Sequence, residues 1–157
     1  GKVFYSATHR LLKDRKQLIL SKISAETVSR ILISENESRI TMPLFTLNVE
    51  IANALSFTIP KDSSISCLDF ESLEFPLLLR KWKKGDYFYP FGMKKKKKKI
   101  SNYLVDRKIS LHEKENIWVL ESGNRIACII GERIDERFKI TTTSKKVMII
   151  TKTLHRH

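Results

Sequence analysis

Six consecutive lysines, Lys94 to Lys99, place the strictest limit on how this chain of 157 residues folds. A run of like charges must be solvated, yet this run lies inside a folded domain, between an aromatic segment and an apolar one. Between Arg80 and Lys99 there are ten basic residues and one acidic residue, Asp86, whereas residues 1–79 contain nine of each. The formal net charge of +13 therefore comes mostly from this one window.

The composition is that of a globular protein, with 41% hydrophobic, 9% aromatic and 30% charged residues. No stretch approaches the roughly 18 uninterrupted apolar residues that a membrane span needs, and the first residues do not form a signal-peptide pattern. We therefore expect a soluble, cytoplasmic protein that does not contact a membrane. Because the chain begins at Gly1 without a methionine, we also expect it to be part of a longer protein.

Short runs of alternating or β-branched residues, separated by turn residues, predict a strand-rich fold. These runs lie at residues 2–5, 17–21, 27–33, 39–48, 54–59 and 65–70, and then at 75–82, 87–91, 117–121, 125–130, 138–142 and 147–154. The expected fold class is α+β, with strand-dominated, β-sandwich-like layers and one or two short helices. We divide the chain into a β-rich region, residues 1–74, and a C-terminal domain, residues 75–157.

Three helical segments are predicted between the strands. A turn of helix is expected at residues 10–12, and Ile100, Tyr103 and Leu104 have the spacing of a helix over about 98–108. Ser110 and Glu113 match a capping box, which predicts a second short helix before residue 116.

The basic window predicts a site for the phosphate backbone of a nucleic acid, because lysine is a flexible point charge that follows phosphates and does not read bases. The expected phosphate contacts are Arg80, Lys81, Lys83, Lys84, Lys94, Lys95, Lys96, Lys97, Lys98, Lys99, Arg107 and Lys108. Aromatic residues are interleaved with them, and Trp82 and Tyr87 are candidates for stacking on an exposed base. The alternative interpretation is a solvated, mobile loop without a ligand.

Few residues indicate catalysis or metal binding. The sequence contains no glycine-rich nucleotide motif and no nucleophile elbow, so we expect no catalytic centre and no bound cofactor in this chain. Asp86 is interpreted as a turn residue that bonds the backbone or neutralises a basic neighbour. Cys67 and Cys128 lie in apolar runs and predict buried, reduced thiols, with a disulfide as the alternative. The histidines have no metal-ligand spacing, so no structural metal is expected.

Ordered motifs connect the sequence to a known family. They are Leu79-Arg80-x-Trp82-x-x-Gly85-Asp86-x-Phe88-x-Pro90-x-Gly92-Met93, then Ile100-Ser101-x-Tyr103-x-x-Asp106-x-Lys108, and Gly131-x-Arg133-Ile134-Asp135-x-Arg137-Phe138-Lys139. Together with the hairpin that begins at Glu115, they closely resemble the C-terminal domain of bacterial tRNA(Ile)-lysidine synthetases over residues 75–153. Residues 1–74 resemble the region that precedes this domain.

The resemblance implies a parent enzyme that uses ATP, with Mg, to join lysine to the wobble cytidine of tRNA(Ile). It implies that ATP binds in an N-terminal catalytic domain, which would be a partner of this chain, and that the present chain holds the tRNA, notably its acceptor stem. The implied fold is similar to a domain of the phenylalanyl-tRNA synthetase β subunit. The sequence departs from the family pattern at Tyr87, where arginine is frequent, near Asn102, and in the lysine run, which lacks the family's glycine.

Three alternatives to a tRNA-binding module are left open. The chain could be a general binder of anionic surfaces, either DNA or membrane, or a structural domain that forms a homodimer. It could also be a self-contained enzyme, for which its sequence offers no motif.

Overall fold

The computed structural model describes residues 2–5, 9–13, 18–22 and 30–156, and the first three ranges are described by their backbone alone. These three ranges are strands β1 (Lys2–Tyr5), β2 (His9–Lys13) and β3 (Leu18–Lys22), which form an antiparallel sheet in that order. The helical turn predicted at residues 10–12 is wrong, because these residues belong to the middle strand and pair on both sides. Residues 27–29 of a predicted strand lie outside the described residues.

From residue 30 onward, strands are the main elements. In chain order they and the two helices are β4 (Arg30–Ile33), β5 (Arg39–Thr41), β6 (Phe45–Asn53), β7 (Ile65–Asp69), β8 (Leu77–Lys81), β9 (Tyr87–Phe88), β10 (Lys98–Lys99), α1 (Ile100–Asp106), α2 (Leu111–Lys114), β11 (Trp118–Ser122), β12 (Arg125–Ile129), β13 (Arg133–Ile134) and β14 (Lys146–Leu154). Single turns of 3-10 helix occur at Ala54–Ser56, Phe70–Ser72 and Glu136–Phe138.

Two antiparallel sheets pack face to face and form the main core. The five-stranded sheet has the order β13-β12-β11-β8-β4, and the four-stranded sheet has the order β5-β6-β14-β7. Leu77, Leu79, Trp118, Leu120 and Cys128 of the first sheet share one buried cluster with Phe45, Leu47, Val49, Leu68, Met148 and Ile150 of the second. Each fully buried aliphatic or aromatic side chain contributes about 1.5–3 kcal/mol, so this cluster is the main source of stability.

A second core covers the opposite face of the five-stranded sheet. In β11 the side chains alternate, because Trp118 and Leu120 join the first cluster and Val119 joins the second. In the second cluster Val119 meets Ile100, Tyr103 and Leu104 of α1, together with Phe88 of β9. The helix and the short ribbon of β9 and β10 therefore lie on a buried sheet face. This packing places the basic window beside a rigid support.

A bulge between β11 and β12 serves both cores. Leu120 pairs with Cys128 but Glu121 pairs with Ile126, which leaves Ala127 as the extra residue. The side chains of Ala127 and Cys128 consequently both face the first cluster. The carbonyl of Ala127 accepts a hydrogen bond from the backbone N–H of Asp135 at 2.8 Å. The bulge therefore connects the sheet to the turn that follows β13.

The strand-dominated α+β fold predicted from the sequence is confirmed, as are the hairpin of β11 and β12 and the helix at the end of the lysine run. The capping box of Ser110 and Glu113 is also confirmed. Two predicted strands are wrong: residues 54–59 begin with a 3-10 turn capped by Asn53, and residues 138–142 follow a 3-10 turn capped by Asp135. The gap between the predicted strands at 39–48 and 54–59 is also wrong, since β6 continues to Asn53.

Strands from both sides of residue 74 share the two large sheets. β4 pairs with β8, and β14 lies between β6 and β7. The division into residues 1–74 and 75–157 stays a prediction about sequence regions. Within the described residues, it does not coincide with a gap between sheets.

Candidate nucleic-acid interface

The lysine run is a folded segment that consists of a tight turn followed by a short strand. The backbone N–H of Lys96 donates to the carbonyl of Met93 at 3.1 Å, which closes a tight turn around Lys94 and Lys95. Both of these residues have positive φ angles, 53° and 59°, which lysine seldom adopts. Lys98 and Lys99 then pair with β9, and the chain enters α1 at Ile100. The run is therefore held by backbone bonds on both sides.

Most of the predicted contact residues point their charges into solvent. The exposed ones are Lys83, Lys84, Lys94, Lys95, Lys96, Lys97, Lys99, Arg107 and Lys108, and Lys81 is half-buried. Three of the predicted cations have carboxylate partners: Arg80 is paired with Asp86, Lys98 with Asp106, and Arg107 with Glu132 at 3.2 Å. The structure therefore brings together a basic surface on which some charges are already neutralised.

Arg80 has a structural position. It is 9% exposed, and two of its guanidinium nitrogens donate to the Asp86 carboxylate at 2.8 and 3.0 Å. Its Nε donates to Glu121 at 3.2 Å. The hydrogen bonds that Arg80 donates to Asp86 raise the pKa of Arg80, so its guanidinium stays charged and is paired with these two carboxylates. We therefore remove Arg80 from the set of phosphate contacts, while the structural role predicted for Asp86 is confirmed.

Tyr87 lies beneath one of the lysines. The ammonium of Lys97 is 3.9 Å from the centre of its ring, although the side chain as a whole is 42% exposed. Tyr89 meets Tyr87 edge to face at 6.3 Å, and the guanidinium of Arg137 lies 4.5 Å from the Tyr89 ring centre. The four side chains form a continuous row in which two adjacent rings lie between two cations. A base could stack on Tyr87 only after Lys97 moves.

Trp82 lies in a groove on the other side of the basic window. Its indole Nε1 donates to the carbonyl of Lys114 at 2.7 Å, which joins β8 to the end of α2. The groove, about 760 Å³ in volume, is lined by Lys81, Trp82, Lys83, Lys84, Leu111, Lys114 and Glu115. Leu111 and Lys114 were not among the residues predicted from the sequence. The one available signal was the capping box, which places Leu111 at the first position of an exposed helix.

A second groove lies between the lysine turn and α1. It has a volume of about 680 Å³ and is lined by Met93, Lys96, Lys97, Lys98, Lys99, Asn102, Val105 and Asp106. Four of the residues that line the groove are lysines, and one, Asp106, carries a carboxylate. The electrostatic potential of the groove is therefore positive. An anionic chain running along this groove would meet the ammonium groups successively.

Two groups near the basic surface, Glu136 and Tyr103, have shifted pKa values. Glu136 accepts a hydrogen bond from Lys139, which lowers the pKa of its carboxyl group, and Lys95 contributes in the same direction. Tyr103 is buried beside Arg107 and Arg133, and burial raises the pKa of its hydroxyl group. These groups therefore keep their ordinary charges at neutral pH, with Glu136 ionised and Tyr103 neutral.

Nothing in the described part of the chain assembles a metal site: no three His, Cys, Asp or Glu side chains come together there.

Cys67 and Cys128 are both buried and unbonded, as predicted, and desolvation raises the pKa of Cys128 to about 12. No helix among the described residues has the length and apolar character needed to cross a membrane.

The fold is that of a known class of domain. A solved structure titled "Crystal structure of TILS C-terminal domain" superposes with a TM-score of 0.62, covering 81% of this chain and 92% of that chain. The sequence identity is 15%, so this likeness concerns the fold alone. The architecture of packed sheets carrying short helices is therefore that of a TilS C-terminal domain.

Sequence comparisons identify the family. The family descriptions "TilS substrate binding domain" and "TilS substrate C-terminal domain" match residues 1–23 and 77–151. A tRNA(Ile)-lysidine synthase of Parabacteroides distasonis is 41% identical over 96% of this chain and 34% of that protein. One from Bacteroides thetaiotaomicron is 43% identical over 95% of this chain and 32% of that protein. The chain belongs to the TilS family and corresponds to its C-terminal substrate domain, which confirms the resemblance found in the sequence.

Proposed function

We propose that this chain holds tRNA(Ile) for a tRNA(Ile)-lysidine synthase, by contacting the phosphate backbone of the acceptor stem. The observation that carries the proposal is the turn and ribbon of Lys94 to Lys99, which presents five exposed ammonium groups from a segment fixed by backbone bonds. The chain spans about a third of the length of the curated relatives it matches. The activity of the whole protein is therefore part of the proposal.

The distribution of charge supports binding to a nucleic-acid backbone. Lys83 and Lys84 precede β9, the lysine run follows it, and Lys108 comes after α1, so exposed cations flank the ribbon and the helix along the chain. Long, flexible side chains of this kind can follow a line of phosphates without reading the bases between them. A-form RNA hides the base edges of its major groove, so such a surface suits recognition of stem shape and position.

Catalysis would belong to a different part of the parent protein. We propose that an N-terminal catalytic domain is the direct partner of this chain and that this domain would bind ATP, with Mg, and would join lysine to the wobble cytidine. The described residues of this chain offer no glycine-rich phosphate cradle and no acidic cluster for Mg. A tRNA substrate implies a cytoplasmic location.

Salt dependence of tRNA binding tests the proposal. We expect the triple variant Lys96→Gln, Lys97→Gln, Lys99→Gln to bind tRNA more weakly and with a flatter dependence on salt. Each phosphate contact contributes about 0.7–0.9 to the slope of log affinity against log salt, so losing three lowers the slope by about 2–3. Filter binding between 50 and 300 mM salt, chosen as roughly the range where counterion release dominates, measures it.

The matched control removes the same charge elsewhere. Lys61, Lys145 and Lys146 are exposed lysines outside the basic window, and changing all three to glutamine alters the net charge equally. We expect this control to retain the wild-type slope. Equal slopes for both triple variants would mean that net charge, and not the lysine turn, controls binding.

The alternatives have separate measurements. A general binder of anionic surfaces would bind duplex DNA and acidic vesicles as tightly as tRNA, which filter binding and vesicle sedimentation compare directly. A homodimeric structural domain would sediment as a dimer with and without tRNA. Our proposal requires preference for tRNA in the first comparison.

A further inference from the structure

The groove around Trp82 contains an apolar surface that the core does not use. Leu111 is 81% exposed at the first position of α2, and it shares the groove with the half-buried indole of Trp82. A single exposed leucine is unremarkable, but a leucine beside an indole provides a flat apolar surface. Their common groove is therefore a candidate binding site.

Both walls of the groove are held in place before any ligand arrives. The bond from the Trp82 indole to the Lys114 carbonyl fixes the plane of the ring. At the other wall, the side chain of Ser110 accepts from the N–H of Glu113 at 3.1 Å, and the Glu113 carboxylate accepts from the N–H of Ser110 at 3.3 Å. A ligand that stacks here would lose little free energy in ordering the site.

The rim of the groove is strongly basic. It contains Lys81, Lys83, Lys84 and Lys114 against one carboxylate, Glu115. An apolar, aromatic surface with cations at its rim is the arrangement that binds unpaired nucleotides, because every base has a face that stacks and every linkage has a phosphate. A purely apolar protein partner would leave these ammonium groups without counter-charges.

Tyr87, the other stacking candidate, is placed differently. Its ring face is covered by Lys97, and Tyr89 meets its edge. Trp82 has no cation over its ring among the described contacts, and its neighbour Leu111 is open to solvent. The two aromatic residues that the sequence could not distinguish therefore differ in access.

We propose that the groove of Trp82 and Leu111 binds an unpaired nucleotide of the RNA, with the base on the indole and leucine and the adjoining phosphates on the lysines. This inference rests on the proposed RNA-binding function and adds a second, single-stranded contact to it. The lysine turn would hold the paired stem, and the groove would hold a neighbouring nucleotide that is not in a helix.

Two RNA probes separate the contacts. One is a blunt RNA hairpin, and the other is the same hairpin with a short unpaired 3′ extension. We expect the extension to increase affinity about tenfold in the wild-type chain, since stacking of one base is worth about 1–3 kcal/mol. The variants Trp82→Leu and Leu111→Ser should lose this advantage while binding the blunt hairpin with the wild-type salt slope.

Fluorescence provides an independent readout. The chain has two tryptophans, and Trp118 is buried between the sheets, so quenching by the extension should come from Trp82 and vanish in Trp82→Leu. Because Trp82 also contacts the second core, Leu111→Ser serves as the variant whose side chain lies outside both cores. Tyr87→Leu is the control and should keep the advantage of the extension.

The outcomes distinguish the two proposals. Wild-type chain that binds both hairpins equally overturns the nucleotide groove and leaves the proposed function intact. Failure to bind either hairpin overturns both. Equal affinity for the two hairpins, combined with loss of association with the catalytic part of the protein in Leu111→Ser, would instead assign the groove to a protein contact and overturn this inference.

Discussion

Lys94 and Lys95 adopt the backbone conformation that glycine adopts at the least cost. The positive φ angles of these two lysines show where a glycine would fit in the basic run. The chain keeps two extra positive charges at the top of the turn and carries backbone strain there. Strain of this kind is expected at a binding surface, where charge matters more than stability.

Replacing both residues with glycine tests this account. We expect Lys94→Gly with Lys95→Gly to raise the free energy of unfolding by about 1 kcal/mol, because relief of two left-handed residues exceeds the added flexibility of the unfolded chain. Urea denaturation measures the change. Lys96→Gly with Lys99→Gly removes the same charge where no positive φ occurs, and it should destabilise the protein. A decrease in the free energy of unfolding for Lys94→Gly with Lys95→Gly would show that the two lysines carry no backbone strain.

Residue-level assignments depended on carboxylate partners that could not be assigned from the sequence. From the sequence alone, Arg80, Lys98 and Arg107 were predicted to be free cations. In the structure, the carboxylates of Asp86, Asp106 and Glu132, respectively, neutralise them. The sequence indicated that Asp86 neutralises a basic neighbour or bonds the backbone, without identifying Arg80, and only the fold brings Glu132 to Arg107. Exposed charges could therefore be predicted as a group, and their individual roles could not.

At the scale of elements, patterns with an unambiguous period were predicted well. The helix of Ile100, Tyr103 and Leu104 and the hairpin before and after Gly123 follow from spacing and turn residues. Residues 54–59 and 138–142 look like strands by composition, but caps at Asn53 and Asp135 start 3-10 turns instead. Local hydrogen bonds by side chains thus decided the cases in which composition misled.

The short helix α2 depends on its cap. We expect Ser110→Ala to lower the free energy of unfolding by about 1 kcal/mol, because it leaves the N–H of Glu113 without its acceptor. Thermal denaturation followed by circular dichroism measures this loss. Ser101→Ala in α1 is the matched control and should change stability by less than about 0.5 kcal/mol. Equal effects of both changes would mean that the capping box contributes nothing.

At the scale of the molecule, the two large sheets join distant parts of the sequence. β8 lies between β4 and β11, and β14 lies between β6 and β7. Sequence patterns could suggest that strands were present, but not which strands would be neighbours, because pairing depends on contacts far apart in the chain. The layered fold class could therefore be predicted from the sequence, whereas the order of the strands in each sheet could not.

This topology predicts the behaviour of truncated chains. We expect residues 75–157 alone to remain unfolded, because β14 would lose both neighbours and β8 would lose one. A chain of residues 30–157, which retains every strand of both large sheets, should fold. Circular dichroism and urea denaturation of the two fragments provide the comparison. Cooperative unfolding of 75–157 would show that its strands form a domain without their partners.

The central position of β14 has a consequence for synthesis. Phe45 pairs with Leu154 and Asn53 with Lys146, so one wall of the core cannot close until a strand far along the sequence has been made. Until residues 146–154 emerge, β6 and β7 have no strand between them, and their apolar side chains stay in water. Contacts of such long sequence separation also slow folding. Nascent chains of this protein should therefore rely on chaperones until residues 146–154 have been synthesised.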